Sequence, residues 1–149
     1  INAVVHNHAY DVLPFDLTDT PLKPLIHTAS VIGEYIPLWD IRDKFGDATD
    51  MLVRNMEQGR DLTVALEGNT CLLMRGHGAV IAGKTIKEAV VTSIYLMINA
   101  KIQTVAMAMG NPVYLSAGEI ENMTNVQFSP LAMDRMWEAF CLRAGVKPV

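Results

Sequence analysis

Residues 70–89 read TCLLMRGHGAVIAGKTIKEA and contain the pattern that decides the fold. Two apolar runs, Thr70 to Met74 and Ala79 to Ala82, are predicted as short strands on either side of Arg75-Gly76-His77-Gly78. Glycine on both sides of His77 allows a tight turn that carries the imidazole close to a neighbouring group. Thr85 to Glu88 forms a capping box, and the apolar residues that follow it have helical spacing. The stretch therefore predicts a strand, a histidine-bearing turn, a second strand and a long helix.

The chain upstream of this stretch contains strands, loops and one predicted helix. Ile1 to His8 is rich in β-branched residues and is predicted as a strand. Three prolines with repeated Asp and Thr predict a loop over Asp11 to Pro24, with at most an edge strand. Glu34 to Asp40 is predicted as a short strand, and Met51 to Glu67 as a helix that Gly59 breaks into two pieces.

The chain downstream is predicted to be helical. The long helix runs to Met109, after which a Gly-Asn-Pro sequence stops it. Ser116 to Glu119 repeats the capping-box pattern for a shorter helix, and Ser129-Pro130 opens a last helix that Gly145 closes. This order of elements indicates a mixed α/β fold. Because 149 residues is about the size of one ordinary domain, residues 1–149 are predicted to form a single domain.

The charge and apolar content of the sequence indicate which kinds of partner the protein does not bind. The formal net charge is −4 and the Lys and Arg residues are spread thinly, whereas a nucleic-acid-binding surface needs clustered positive charge. No uninterrupted apolar run reaches the roughly 18 residues of a membrane span, and we expect no signal or transit segment. Cys71 and Cys141 lie in apolar segments and are interpreted as buried free thiols. We therefore expect a cytoplasmic protein with a small-molecule partner, without nucleic acid or membrane.

Three of the four histidines are predicted to hold one metal ion. His6-Asn7-His8 ends the first predicted strand, and side-chain alternation places His6 and His8 on the same face. Adjacent neutral imidazoles suit a cation that accepts nitrogen donors. A pair at a strand end with a distant third histidine, here His77, is common in catalytic sites with three protein ligands and one open position. The ion would be divalent, and Zn²⁺, Mn²⁺, Co²⁺ and Fe²⁺ all accept imidazole.

Two other kinds of metal site remain open from the residues alone. A cupin also carries H-x-H on a strand, but it expects a nearby downstream Glu ligand and an almost wholly β chain. Here the first acid after His8 is Asp11, and long helices are predicted. A non-haem iron facial triad replaces one histidine with a carboxylate, which an H-x-H pair does not match.

Three motifs together resemble the class II aldolase/adducin family. They are Val4-Val5-His6-Asn7-His8, Leu72-Leu73-Met74-Arg75-Gly76-His77-Gly78 and Gly83-Lys84-Thr85-Ile86-Lys87-Glu88-Ala89. They occur in the family's order with its typical separations, and the similarity runs from residue 1 to about the last helix. The resemblance implies a three-layer α/β/α sandwich with a mainly antiparallel central sheet. It also implies a homotetramer with one divalent metal ion per subunit, bound by His6, His8 and His77.

The resemblance further implies that preceding chain is absent. Ile1 already lies within an apolar run that continues to Val5. The family's Gly- and Ser-rich substrate loops, and the acid that serves aldolases as acid/base, lie upstream of the position of His6. We therefore expect residues 1–149 to be a class II aldolase-like domain that lacks its N-terminal portion.

Within the family, Val12 to Phe15 and Pro21 to His27 most resemble the hydroxymethylpyridine-dicarboxylate and dihydroxyphthalate decarboxylases. This resemblance implies a metal-dependent carbon–carbon lyase. It would decarboxylate a hydroxylated aromatic or heteroaromatic carboxylic acid through a metal-stabilised enolate or phenolate. Two alternatives stay open. One is a class II aldolase or epimerase acting on a sugar phosphate, and the other is a non-catalytic adducin-like scaffold, which has no need of a complete histidine triad.

Two further residues are candidates for the site. His27 follows the metal pair in a loop, where it could orient a substrate carboxylate or supply a proton, or could be an ordinary hydrogen-bonded histidine. Arg75 is close to His77 and could pair with a substrate carboxylate through its planar guanidinium, or could bond to nearby backbone carbonyls. We predict a catalytic role for His27 and a substrate-binding role for Arg75.

Overall fold

A four-stranded sheet with helices on both faces forms the centre of the computed structural model, which describes residues 1–148. The strands are β1 (Ala3–Asn7), β2 (Leu38–Trp39), β3 (Cys71–Met74) and β4 (Gly78–Gly83), in the order β1-β4-β3-β2. β4 pairs antiparallel with β1 and with β3, whereas β2 pairs parallel with β3. The sheet is therefore mixed and mainly antiparallel, which agrees with the predicted fold class.

Alternation of side chains along β3 and β4 creates two apolar layers. The helices are α1 (Leu13–Asp16), α2 (Arg42–Phe45), α3 (Met56–Leu66), α4 (Ile86–Met109), α5 (Ala117–Gln127) and α6 (Pro130–Arg143), with a 3-10 helix at His27–Ile32. Leu73 and Ile81 face α4 and the 3-10 helix, where they pack with Leu96. Leu72 and Val80 face the opposite side, where α3 packs. These layers give the three-layer α/β/α arrangement.

The long helix α4 packs against the sheet along one face, whereas much of its remaining apolar surface is exposed within one chain. By length and composition it is a candidate membrane span. In the structure it packs against β1, β4, the 3-10 helix and α6. Its buried polar residues bind the loop at residues 21–25: the Leu25 N–H donates to Asn99 Oδ1 (2.9 Å), and Gln103 Nε2 donates to the Pro21 carbonyl oxygen (2.7 Å). These contacts hold one face of α4 against the rest of the protein.

The predicted helix starts are confirmed. Thr85, Ser116 and Ser129 cap α4, α5 and α6, and each accepts a hydrogen bond from the N–H three residues later. The Ser116–Glu119 capping box is reciprocal. In α4, the Glu88 carboxylate instead accepts from the Lys84 N–H at 2.8 Å, so only half of the predicted box forms. Cys71 and Cys141 are buried and free, as predicted.

Two predicted elements are wrong and one is shorter than expected. The predicted loop over Asp11 to Pro24 contains the short helix α1, because the fixed φ of Pro14 suits a first helical turn. The predicted strand over Glu34 to Asp40 is limited to β2, which pairs only with the end of β3. The predicted helix over Met51 to Glu67 begins only at Met56, and α3 continues through Gly59 without a break. Packing of α3 on the sheet outweighs the low helix propensity of one glycine.

Candidate metal centre

The structure brings together the three histidines predicted as ligands. Alternation along β1 points His6 and the following His8 to the α3 side of the sheet, where His77 reaches them from the turn before β4. The Nε2 atoms of His6 and His8 are 3.0 Å apart, and one nitrogen from each of the three rings lies within 4.8 Å of the others. Three imidazoles, of which His6 and His77 are 71 residues apart in sequence, thus share one small volume.

The nitrogen atoms of this cluster fit a divalent cation. The Nδ1 atom of His6 is 3.0 Å from the Ala79 carbonyl oxygen, so an N–H there donates and Nε2 keeps its lone pair. Burial lowers the pKa of His6; the Ala79 bond opposes this shift, and the nearby His77 and His8 reinforce it. Within residues 1–148, the Nδ1 atom of His77 is buried without a hydrogen-bond partner. Neutral rings with free lone pairs are the donors that a metal of this class requires.

The turn that carries His77 is tightly constrained. The His77 N–H donates to the Met74 carbonyl oxygen at 2.9 Å. Gly76 has a φ of +61°, and a Cβ there would lie 3.0 Å from the Cε atom of Met51. Gly78 starts β4 with a positive φ, directly against the backbone of β1. The two glycines are therefore required by backbone conformation and close approach, as their place beside His77 predicted.

The histidine cluster opens into a cleft of about 700 Å³ on the α3 side of the sheet. The other residues that line it are Val4, Leu52, Val53, Arg54, Leu62, Met74 and Val80. All of these side chains are apolar except Arg54, whose guanidinium forms an ion pair with Asp50. The site therefore combines nitrogen ligands, apolar walls and one guanidinium, which are the features of a small-molecule pocket.

The other two candidate residues lie away from this cleft. Arg75 forms an ion pair with Asp40 (Nε–Oδ2 2.7 Å) and lines a separate cavity of about 400 Å³ together with Asp16 and Arg42. His27 lines a third cavity, beside α5 and α6. Within one chain, neither residue is brought to the metal ligands. Their roles in substrate binding and catalysis remain predictions.

The sequence interpretation missed the part of the cleft that precedes α3. Leu52, Val53 and Arg54 lie within the predicted helix, but in the structure they form an irregular segment before α3 that lines the site. A local signal marks the boundary. Asn55 Oδ1 accepts from the Gln58 N–H (2.9 Å), and Gln58 Oε1 accepts from the Arg54 N–H (2.7 Å). This Asn-x-x-Gln capping pattern places the helix start after Arg54.

Comparison with known proteins agrees with this geometry. Residues 1–104 match the class II aldolase and adducin N-terminal domain, which is more than half of the chain. The chain belongs to the class II aldolase/adducin family. Decarboxylase tropJ of Talaromyces stipitatus is 36% identical over 119 residues, which cover 73% of this chain and 45% of that protein. The resemblance to this family and to its decarboxylases is thereby confirmed.

Two further decarboxylases and several solved structures are similar. Decarboxylase NovR of Streptomyces niveus is 27% identical over 85% of this chain and 44% of its own length. The 3,4-dihydroxyphthalate decarboxylase of Arthrobacter keyseri is 28% identical over 63% of this chain and 37% of its own length. The chain thus spans less than half the length of these relatives. An L-fuculose 1-phosphate aldolase structure matches with a TM-score of 0.66 at 21% identity, covering 83% of this chain and 54% of that one, which shows the shared fold.

Proposed function

We propose that this protein is a metal-dependent carbon–carbon lyase that decarboxylates a hydroxylated aromatic or heteroaromatic carboxylic acid. The observation that carries the proposal is the convergence of His6, His8 and His77 at one end of an apolar cleft. Three related proteins are named as decarboxylases, which supports the proposal. The three imidazoles would hold one divalent ion, and Zn²⁺, Mn²⁺, Co²⁺ or Fe²⁺ would fit such donors.

Decarboxylation leaves an electron pair where the carbon–carbon bond was broken. A divalent cation, when bound, supplies a Lewis acid that stabilises the negative charge that develops on an adjacent oxygen. The protein's own groups prepare this site. The Ala79 carbonyl oxygen orients the His6 ring, and the side chains of Leu62 and Val80 form an apolar wall beside it.

The apolar walls favour an aromatic acid over a sugar phosphate. Leu52, Val53 and Met74 offer a surface on which a ring can pack, but they offer no hydrogen bonds to the hydroxyl groups of a sugar. A non-catalytic scaffold has no need of the three converging nitrogen donors. Both alternatives from the sequence are therefore less well supported by the cleft than the decarboxylase.

We assign to Arg54 the role of binding an acidic substituent of the substrate. Its guanidinium can form a bidentate pair with a carboxylate. A strong ion pair with the departing carboxylate would stabilise the ground state and slow the reaction. We therefore place a second, retained carboxylate at Arg54, so that the substrate is an aromatic dicarboxylic acid with a hydroxyl group.

Metal analysis combined with an activity screen tests the proposal. The purified full-length protein should contain about one divalent ion per subunit, and the double variant His6→Ala/His8→Ala should contain none. The His27→Ala variant is a matched control that should keep its metal, because His27 lines another cavity. Release of CO₂ from hydroxylated aromatic dicarboxylates, but no cleavage of ketose phosphates, is expected. A protein without metal after reconstitution, or one that cleaves only ketose phosphates, would refute the proposal.

A further inference from the structure

We infer that Asp16 is a positioning residue for the metal ligand His77. The inference rests on the proposed metal site. Asp16 ends α1, eight positions after His8, and its side chain is almost completely buried (1% exposed). A buried carboxylate requires hydrogen-bond donors, because taking it out of water without compensation costs several kcal/mol. The hydrogen-bond donor to Asp16 lies next to His77, which connects Asp16 to the proposed metal site.

The backbone N–H that donates to Asp16 belongs to the turn that carries His77. The Gly76 N–H donates to Asp16 Oδ1 at 2.9 Å, across 60 residues of sequence. Burial raises the pKa of Asp16, and the backbone N–H of Gly76 is the largest influence that opposes this shift. The carboxylate therefore holds the turn at Gly76, the residue before His77. In the described residues, Oδ2 makes no hydrogen bond, so the contact with Gly76 is the principal one of this side chain.

The ring of His77 depends on this backbone more than the ring of His6 does. His6 is held directly, since its Nδ1 atom bonds to the Ala79 carbonyl oxygen. The Nδ1 atom of His77 is buried without a partner within residues 1–148. The direction of the His77 ring is then set by the Gly76 to Gly78 backbone and by packing. Asp16 bonds to that backbone at Gly76 and lines the second cavity with Arg75, whereas His77 lines the cleft.

Residues 6–16 therefore contribute to the site in two ways. They supply His6 from β1 and His8 just after this strand, and Asp16, the last residue of α1, bonds to the turn that carries His77. The hydrogen bonds Val12 N–H to Ala9 and Phe15 N–H to Val12 fix the path between them (2.9 and 3.0 Å). Groups that orient metal ligands from outside typically change metal affinity 10- to 100-fold when they are removed.

Cobalt binding tests the inference, with Co²⁺ titrated into the metal-free full-length protein and its visible absorption recorded. Asp16→Ala should bind Co²⁺ about 10- to 100-fold more weakly than the original protein and should change the absorption bands. Asp16→Asn should stay within about threefold, because its amide oxygen still accepts from the Gly76 N–H. Leu96→Ala is the control for general destabilisation, since Leu96 is fully buried on the opposite face of the sheet. It should leave the affinity and the spectrum unchanged.

The possible outcomes separate this inference from the proposed function. If the original protein binds no Co²⁺, the metal site itself is refuted. If the original protein binds and Asp16→Ala binds equally well, only the role of Asp16 is refuted. An equal loss in Leu96→Ala would also refute it. Asp16→Ser replaces Asp16→Ala if the alanine variant does not fold. Its shorter side chain keeps a polar group but does not reach the Gly76 N–H, so the same loss of affinity is expected.

Discussion

The Cα atom of Gly78 lies so close to the carbonyl oxygen of Asn7 that a Cβ at position 78 would stand 2.2 Å from that oxygen. Gly78 also has a φ of +145°, which residues with a side chain rarely adopt. Asn7 lies between two of the three clustered histidines, His6 and His8, and Gly78 directly follows the third. The close approach of these two backbones therefore sets the separation between His77 and the pair on β1.

Gly78→Ala is expected to separate the ligands. The new methyl group meets backbone atoms of Asn7 and His8, which cannot rotate away as a flexible side chain would. We expect a loss of at least about 2 kcal/mol in the free energy of unfolding from overpacking and backbone strain. Metal affinity should fall at least about tenfold, because β1 must move relative to the His77 turn. Urea denaturation and Co²⁺ titration measure the two effects.

Gly118→Ala is the matched control for this substitution. Gly118 lies in α5, and a Cβ there meets nothing within 4 Å. Alanine should stabilise the helix by up to about 1 kcal/mol and leave metal binding unchanged. A Gly78→Ala protein with the stability and metal affinity of the original would contradict the role of this contact.

Arg54→Gln tests which guanidinium binds the substrate. The variant should raise KM for a hydroxylated aromatic dicarboxylate by about tenfold or more, since a charge-assisted bidentate pair is lost. For the corresponding monocarboxylate, KM should change little. Arg75→Gln is the matched control, because Arg75 is paired with Asp40 outside the cleft. Steady-state kinetics on both substrates, with metal content checked, provides the measurement. A larger effect of Arg75→Gln would instead support the substrate-binding role predicted for Arg75.

Asp40→Asn tests the two ion pairs that Asp40 forms, with Arg42 and with Arg75. Asp40 accepts from Arg42 (Nη2–Oδ2 2.6 Å) and pairs with Arg75, and its side chain is 14% exposed. The Arg42 guanidinium is the largest cause that holds the pKa of Asp40 well below its ordinary value of 3.8. Folding therefore stabilises the charged form. This contribution is fully present above the ordinary pKa and is lost as the pH falls towards the pKa of the folded state.

The variant should accordingly be less stable than the original by about 1–2 kcal/mol at pH 7, and the difference should shrink below pH 4. Urea denaturation at pH 7, 5 and 3 measures it. Asp50→Asn removes an exposed ion pair with Arg54 and should have a smaller effect at every pH. A difference that grows as the pH falls would have the wrong sign for this explanation.

The sequence predicted that three histidines cluster, but it did not predict the contact that holds the His77 turn, and the reason is physical. His6 and His8 share a face because side chains alternate along any strand, so a local pattern is sufficient. His77 could be added because glycine on both sides of a histidine marks a turn between strands. Asp16, in contrast, meets Gly76 across 60 residues, and no periodicity links them. Such contacts are fixed by tertiary packing, which single-sequence patterns do not encode.

The same limit explains why the prediction for Gly59 was wrong. This residue is predicted to break a helix, but it lies within α3. The Gly59 N–H donates to the Asn55 carbonyl oxygen at 3.1 Å, and its own carbonyl oxygen accepts from Thr63 Oγ1 at 2.8 Å. A Cβ at this position would meet only Val53 Cγ1, at an ordinary contact distance of 3.9 Å. The backbone is therefore helical, and nothing near it requires a glycine.

Gly59→Ala should stabilise the protein by about 0.5–1 kcal/mol, because alanine restricts the unfolded chain and fits the helix without strain. Thermal unfolding of the two proteins measures the gain. Co²⁺ affinity is the control and should not change, since Val53 lines the cleft but the new contact with it is not tight. A destabilised variant would mean that α3 is interrupted at Gly59 after all, as the glycine pattern predicted. Because α3 packs on the sheet face that carries the cleft, a break there would also loosen Leu62 and the wall it forms.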